Sequence, residues 1–148
     1  MVEDEVVVIN TEWGGFGSGM LGVLPMTSVD LEIDACSPNP GQQWFEKLIA
    51  GYYLGEITRR LLEKLAGSGE LWTGCKRSQQ TTSVFSFESR HASSVECDES
   101  DDLRQVRDIE ATVLGVTGST LADRRTVQTV CRLVTERCVF FARCAERL

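Results

Sequence analysis

The sequence has no apolar run long enough to cross a bilayer. Its longest aliphatic stretch, Val6 to Ile9, falls far short of the roughly 20 residues that a membrane helix needs. Met1 is followed by acidic residues rather than by a basic and then apolar leader, so the expectation is a cytoplasmic chain without a membrane span. Basic blocks are also lacking. With 15 Lys and Arg against 22 Asp and Glu, a formal charge of −7, the chain has no clustered cations with which to neutralise a phosphate backbone, and nucleic acid is excluded as the main partner. Histidine is nearly absent. His91 is the only one, so a Ser-His-Asp triad would have to use it and a metal site would lack partners; no metal site is expected, and His91 reads as a surface or packing residue. Six cysteines are present without any CxxC spacing. Cys131, Cys138 and Cys144 fall in one helical stretch while Cys36, Cys75 and Cys97 are scattered, which predicts reduced thiols, with Cys138 on an interior face.

What is present has the patterning of a helical α/β chain. Val6 to Ile9 suit a strand buried on both faces. The glycine-rich run Trp13 to Gly19 leads into Leu21-Gly22-Val23-Leu24-Pro25 rather than opening a helix, so it predicts a tight turn and not a phosphate loop. Asn39-Pro40-Gly41-Gln42 has the composition of a helix start, with Asn39 as N-cap and Gln42 reaching back. Phe45, Leu48, Ile49, Tyr52, Leu54, Ile57, Leu61 and Leu65 then recur at helical spacing up to Gly67-Ser68-Gly69, predicting one helix of about seven turns. Residues 71–83 read as loop. Ser100-Asp101-Asp102 should cap a helix carrying Leu103, Val106, Ile109 and Val113, closed by Gly115. Thr120 with Asp123 should open the last helix, whose apolar face is Val127, Val130, Val134, Cys138, Phe141 and Ala145. A buried-type strand at one end and an unfinished amphipathic helix at the other give the expectation of a piece of something larger. Gly69 to Lys76 looks like a Walker loop, but Cys75 separates glycine from lysine and no Ser or Thr follows Lys76, which rejects that reading.

Two blocks carry a family resemblance. The first is Ile9-Asn10-Thr11-Glu12-Trp13-Gly14-Gly15-Phe16-Gly17; the second is Ser37-Pro38-Asn39-Pro40-Gly41-Gln42-Gln43-Trp44-Phe45-Glu46-Lys47, continuing into Gly51-Tyr52-Tyr53-Leu54-Gly55-Glu56. In order and separation they resemble the hexokinases, with Leu24-Pro25, Asp30 and Asp34 between them and fainter similarity through Phe87 to Asp98 and Ala122 to Arg137. The resemblance implies an α/β protein of the two-lobed, actin-like ATPase (ribonuclease H-like) fold. Residues 1–148 would be part of its large lobe, truncated at both ends and mostly helical with a short β portion.

The same resemblance implies ATP-dependent phosphorylation of glucose or another hexose at its 6-hydroxyl, with Mg²⁺ held mainly by the ATP phosphates. It places sugar contacts at Glu12, Gln43 and Glu46, and nucleotide contacts at Gly51, Tyr52, Ser89 and Ser93, the last two in a Ser/Thr-rich turn. The chemistry suits the first set. A sugar offers hydroxyl donors, and an ionised carboxylate accepts hydrogen bonds about twice as strongly as a neutral acceptor. Gln43 and Glu46, three apart on one expected helix, could face one ligand. No catalytic residue is expected here, because the family's general-base Asp, its small-lobe Thr-Lys pair and two nucleotide loops find no match. The chain alone is therefore expected to be inactive, with the rest of the hexokinase chain as its necessary partner. The alternative is a non-catalytic hexokinase-like protein that keeps a sugar site for binding or regulation.

Overall fold

The computed structural model describes residues 12–20 and 22–145, apart from the side chains of Cys144 and Ala145. The expected strand Val6 to Ile9 lies outside the described residues, as do Asn10 and Thr11. A 3₁₀ turn, Trp13–Gly15, is followed by α1 (Ser28–Cys36), α2 (Trp44–Ile49), α3 (Gly51–Gly67), β1 (Lys76–Arg77), a second 3₁₀ turn (Gln79–Thr82), α4 (Ser89–Glu96), α5 (Arg104–Thr112), β2 (Val116–Thr117) and α6 (Leu121–Ala145). The two strands pair antiparallel, Lys76 with Thr117 and Arg77 with Val116. The glycine-rich run is the tight turn expected, and Lys76 opens a strand rather than a phosphate-binding helix.

The single seven-turn helix is two helices. Asn39 to Gln42 form a turn in front of α2 rather than its first residues, and Ala50, extended at φ −71° and ψ 135°, ends α2 and begins α3. Apolar spacing runs unbroken across this joint because both helices cover the same core, so periodicity alone does not reveal it.

Three other elements depart from expectation. Helix α1 is held by a capping box in which the Thr27 N–H donates to Asp30 Oδ2 at 2.7 Å and the Asp30 N–H to Thr27 Oγ1 at 3.3 Å. The segment expected as a Ser/Thr-rich turn is the first turn of α4, capped by Glu88, whose N–H donates to His91 Nδ1 at 3.0 Å; this is what the lone histidine does. At helix α5 the expected Ser100 does cap, its Oγ accepting from the Arg104 N–H at 3.0 Å, but Asp98 joins it: Asp98 Oδ2 accepts from the Val106 N–H at 3.1 Å, and Oδ1 from the Ser100 N–H and hydroxyl. Helix α6 opens as predicted, with Asp123 Oδ2 accepting from the Thr120 N–H at 2.8 Å.

The main core gathers Leu62, Trp72, Phe87, Val95, Val106, Leu114, Val127 and Cys131 between α3, α4, α5 and α6. Helix α3 comes close to the chain entering α4 because residue 55 is glycine. A Cβ there would lie 2.1 Å from the Phe87 carbonyl oxygen and 2.7 Å from Glu88 Cα. A second cluster, Leu24, Trp44, Phe45, Leu48 and Phe141, fastens α2 and the glycine-rich turn to the end of α6.

The five cysteines with described side chains are free. Cys131 is buried, and burial, with Glu96 nearby, pushes its thiol up to about 12. Cys138 reaches the interior only in part; its Sγ–H donates to the Ile49 carbonyl at 3.0 Å. Cys36 and Cys97 are exposed. Alkylation of the native full-length protein followed by peptide mapping should therefore label Cys36 and Cys97 and leave Cys131 unlabelled until the protein is denatured.

Candidate functional site

The two halves of the expected sugar site come together by aromatic packing. Phe45 of α2 receives Trp13 at a ring-centroid distance of 5.3 Å and Phe16, edge-on, at 6.3 Å. This lays the turn that carries Glu12 along the helix that carries Glu46. Contact is close at Gly14, where a Cβ would sit 3.1 Å from Glu46 Oε2 and 3.2 Å from Glu46 Cβ. Glycine at 14 thus lets the carboxylate lie against the backbone of the first block. Glu12, Gln43 and Glu46 are all exposed.

Two of these three residues have an uncommon backbone. Glu12 has φ 48° and Gln43 φ 50°, in the left-handed region that non-glycine residues enter rarely and that is found disproportionately at functional sites. Gln43 therefore does not share a helix with Glu46. It is the N-cap residue, and Glu46 lies in the first turn beyond it, so the two remain one turn apart. The Gln43 side chain makes no capping hydrogen bond.

The turn before α2 is held by a buried ion pair. Lys47 Nζ donates to Asp34 Oδ1 at 2.6 Å and to the Asn39 carbonyl at 2.8 Å, while the Gly41 N–H donates to both Asp34 oxygens at 3.1 and 2.9 Å. Burial alone would raise the Asp34 pKa, but Lys47 and the Gly41 N–H together hold it below the ordinary carboxylate range. A carboxylate with a lowered folded pKa stabilises the fold above its unfolded value, and that stabilisation is lost as pH falls through the folded value. Asp34→Asn should cost about 2 kcal/mol near neutrality. Its deficit against wild type should be constant down to about pH 5 and should shrink below about pH 4, as denaturant unfolding at several pH values would show.

The expected nucleotide residues meet in a second place. A cleft of about 390 Å³ is lined by Gly51 and Tyr52, at the start of α3, and by Phe85, Phe87, Glu88, Ser89 and Arg90, at the start of α4. Tyr52 stacks on Phe85 with centroids 5.0 Å apart, and Phe85 is placed by its N–H donating to Glu56 Oε2 at 2.8 Å. Glu56 is itself buried and receives Arg59 on both oxygens, at 2.8 and 2.7 Å. Ser89 donates its hydroxyl to the Gly51 carbonyl. Space beside Gly51 is open, so its lack of a side chain does not serve packing. Ser93 sits one turn further along α4, exposed and off the cleft wall. Arg90, which the sequence reading passed over, is the cation on this wall; it is paired with Glu88 at 2.9 Å and largely exposed. A single arginine beside a serine carries no signal in a sequence, and only the cleft marks it.

Helix α2 carries Glu46 and is joined through Ala50 to α3, whose first residues line the cleft. Among the described residues no group of three or more His, Cys, Asp or Glu converges as a metal site, and no helix is long and apolar enough to cross a membrane.

This arrangement matches solved proteins over nearly the whole chain. The hexokinase from Schistosoma mansoni complexed with glucose superposes with a TM-score of 0.81 at 32% identity, covering 94% of this chain and 32% of that one. A second hexokinase crystal structure gives 0.72 at 26% identity, over 90% of this chain and 28% of that one. The fold is thus that of the actin-like ATPases, here represented by a mostly helical stretch with two short strands. The family model described as Hexokinase matches residues 1–145. Among curated relatives, Hexokinase-2 of Oryza sativa subsp. japonica is 42% identical over 136 residues, 92% of this chain and 27% of that protein. Hexokinase-2, chloroplastic, of Nicotiana tabacum is 40% identical over 130 residues, 88% of this chain and 25% of that protein. The chain belongs to the hexokinase family, and it spans about a quarter of the length of these relatives.

Proposed function

We propose that the full polypeptide containing this chain transfers the γ-phosphoryl group of ATP to the 6-hydroxyl of glucose or a related hexose, and that Glu12, Gln43 and Glu46 hold the sugar. The observation that carries this reading is the meeting of the two family blocks at one surface, with the Glu46 carboxylate lying on Gly14. Two carboxylates on adjoining elements suit a ligand whose periphery is hydroxyl donors. The cleft at the starts of α3 and α4 fits part of a nucleotide. Unpaired helical N–H groups and the Arg90 guanidinium favour phosphate oxygens, and Ser89 could turn its hydroxyl from Gly51 towards them. Mg²⁺ would be carried on the ATP phosphates, where it would neutralise charge developing during transfer.

Proton removal from the 6-hydroxyl and most of the phosphate contacts fall to residues outside these 148. Transfer depends on positioning and charge stabilisation together, so the isolated chain should give no turnover. A coupled assay of the full-length protein with glucose, ATP and Mg²⁺ tests the reading: glucose-dependent ADP release supports it. Glucose binding without ADP release would instead establish the alternative, a hexokinase-like sugar-binding protein.

A further inference from the structure

We propose that Asn39 is a positioning residue that sets which end of the Gln43 amide faces the sugar; this inference rests on the sugar-site reading above. The Asn39 Nδ2 donates to Gln43 Oε1 at 2.5 Å. The Ser37 hydroxyl, whose proton goes to the Asp34 carbonyl at 2.7 Å, lies 3.5 Å from Asn39 Oδ1. The Asn39 backbone is itself pinned, since its carbonyl accepts from buried Lys47 at 2.8 Å, and Lys47 is anchored on Asp34. The ion pair thus holds the Asn39 backbone, and Asn39 holds the Gln43 amide.

The chemical consequence is a polarity. With Oε1 engaged, Gln43 offers a ligand its Nε2–H₂ group, a donor, whereas Glu12 and Glu46 offer only acceptors when ionised. A hydroxyl has one proton to give and lone pairs to receive, so a single hydroxyl can donate to a carboxylate and accept from Gln43 at once. Such a site recognises a hydroxyl by both of its capacities, and a sugar lacking that hydroxyl leaves the polar groups of the protein unpaired. Asn39→Asp would present two acceptors to Gln43, so that the amide turns to donate to residue 39 and its carbonyl faces the sugar. The outward donor is then lost while the shape is kept.

The test uses the full-length protein and compares wild type, Gln43→Ala, Asn39→Asp and Asn39→Ala. The readouts are KM and kcat for glucose and for each monodeoxyglucose, with a thermal melt for each variant. Gln43→Ala should lose discrimination against one deoxy sugar, and the position identifies its hydroxyl. Asn39→Asp should lose discrimination at that same position and raise the KM for glucose about tenfold, with kcat within about twofold, a loss on the scale of one hydrogen bond. Asn39→Ala, which frees the amide without reversing it, should fall between and carries the test if the Asp variant does not fold. Wild-type discrimination in both Asn39 variants, together with lost discrimination in Gln43→Ala, would overturn the role of Asn39 and leave the sugar site standing. Full discrimination in Gln43→Ala at every position would overturn both.

Discussion

Replacing Gly55 by alanine should destabilise the full-length protein by roughly 3 kcal/mol or more, beyond the usual range for a single added methyl group. The new Cβ would stand 2.1 Å from the Phe87 carbonyl oxygen and 2.6 Å from the Glu88 carbonyl carbon. These are backbone atoms, so no side chain can rotate away and α3 must part from the chain entering α4. That separation would loosen Phe87, at the centre of the main core, and displace Ser89 and Arg90 from the cleft. Gly67→Ala is the matched control: it ends the same helix with open space around it, and alanine favours helix over glycine by up to about 1 kcal/mol. Denaturant unfolding of the two variants should move in opposite directions or, at Gly67, hardly move. Gly55→Ala should also raise the KM for ATP more than that for glucose, since the displaced Ser89 and Arg90 line the cleft and not the sugar site.

Glu46→Gln and Glu12→Gln should each lower kcat/KM for glucose by a factor of about ten to a hundred, with little change in folding stability. Both residues are exposed, so the substitutions leave the packing of the buried core unchanged. Glutamine keeps the volume but replaces one acceptor oxygen by a donor nitrogen and removes the ionic strengthening of the bonds, a loss of about 1.5–3 kcal/mol for a hydrogen bond to a charged group. For Glu46 the effect should be the larger, because its carboxylate is confined against Gly14 and a misdirected amide has little room to adapt. Steady-state kinetics with varied glucose at saturating ATP reads both outcomes. Wild-type kcat/KM in both variants would remove Glu12 and Glu46 from the site.

The parts of this protein that a sequence shows are those governed by neighbours along the chain. The Thr120 and Asp123 cap, the stripe from Val127 to Phe141 and the tight glycine turn are local patterns, and each stands where the spacing puts it. The two family blocks name Glu12, Gln43 and Glu46 without any structure, yet their juxtaposition depends on Trp13 and Phe16 finding Phe45, which no periodicity encodes. Helix α1 escaped notice because its two aspartates look like solvent-facing residues. Both are buried: Asp30 is paired with Arg137, 107 positions away, at 2.9 Å, and Asp34 with Lys47. Helix α4 is too polar and short to register, and Asp98 caps α5 from eight residues before Val106, beyond the reach of a local capping rule. The break at Ala50 costs one residue of helix and leaves the apolar pattern intact. That break nonetheless matters to the proposed function, since it sets the sugar residues at one end of a short helix and opens a second helix start to the nucleotide cleft at the other.

The account stands on glucose meeting both family blocks at once, and hydrogen–deuterium exchange of the full-length protein, with and without glucose, tests this most directly. Glucose should slow exchange in residues 12–15 and 41–47 together and leave 69–75 unchanged, while a non-hydrolysable ATP analogue added with Mg²⁺ should slow 51–53 and 85–90. Protection by glucose confined to one block, or absent from both while glucose is turned over, would contradict it.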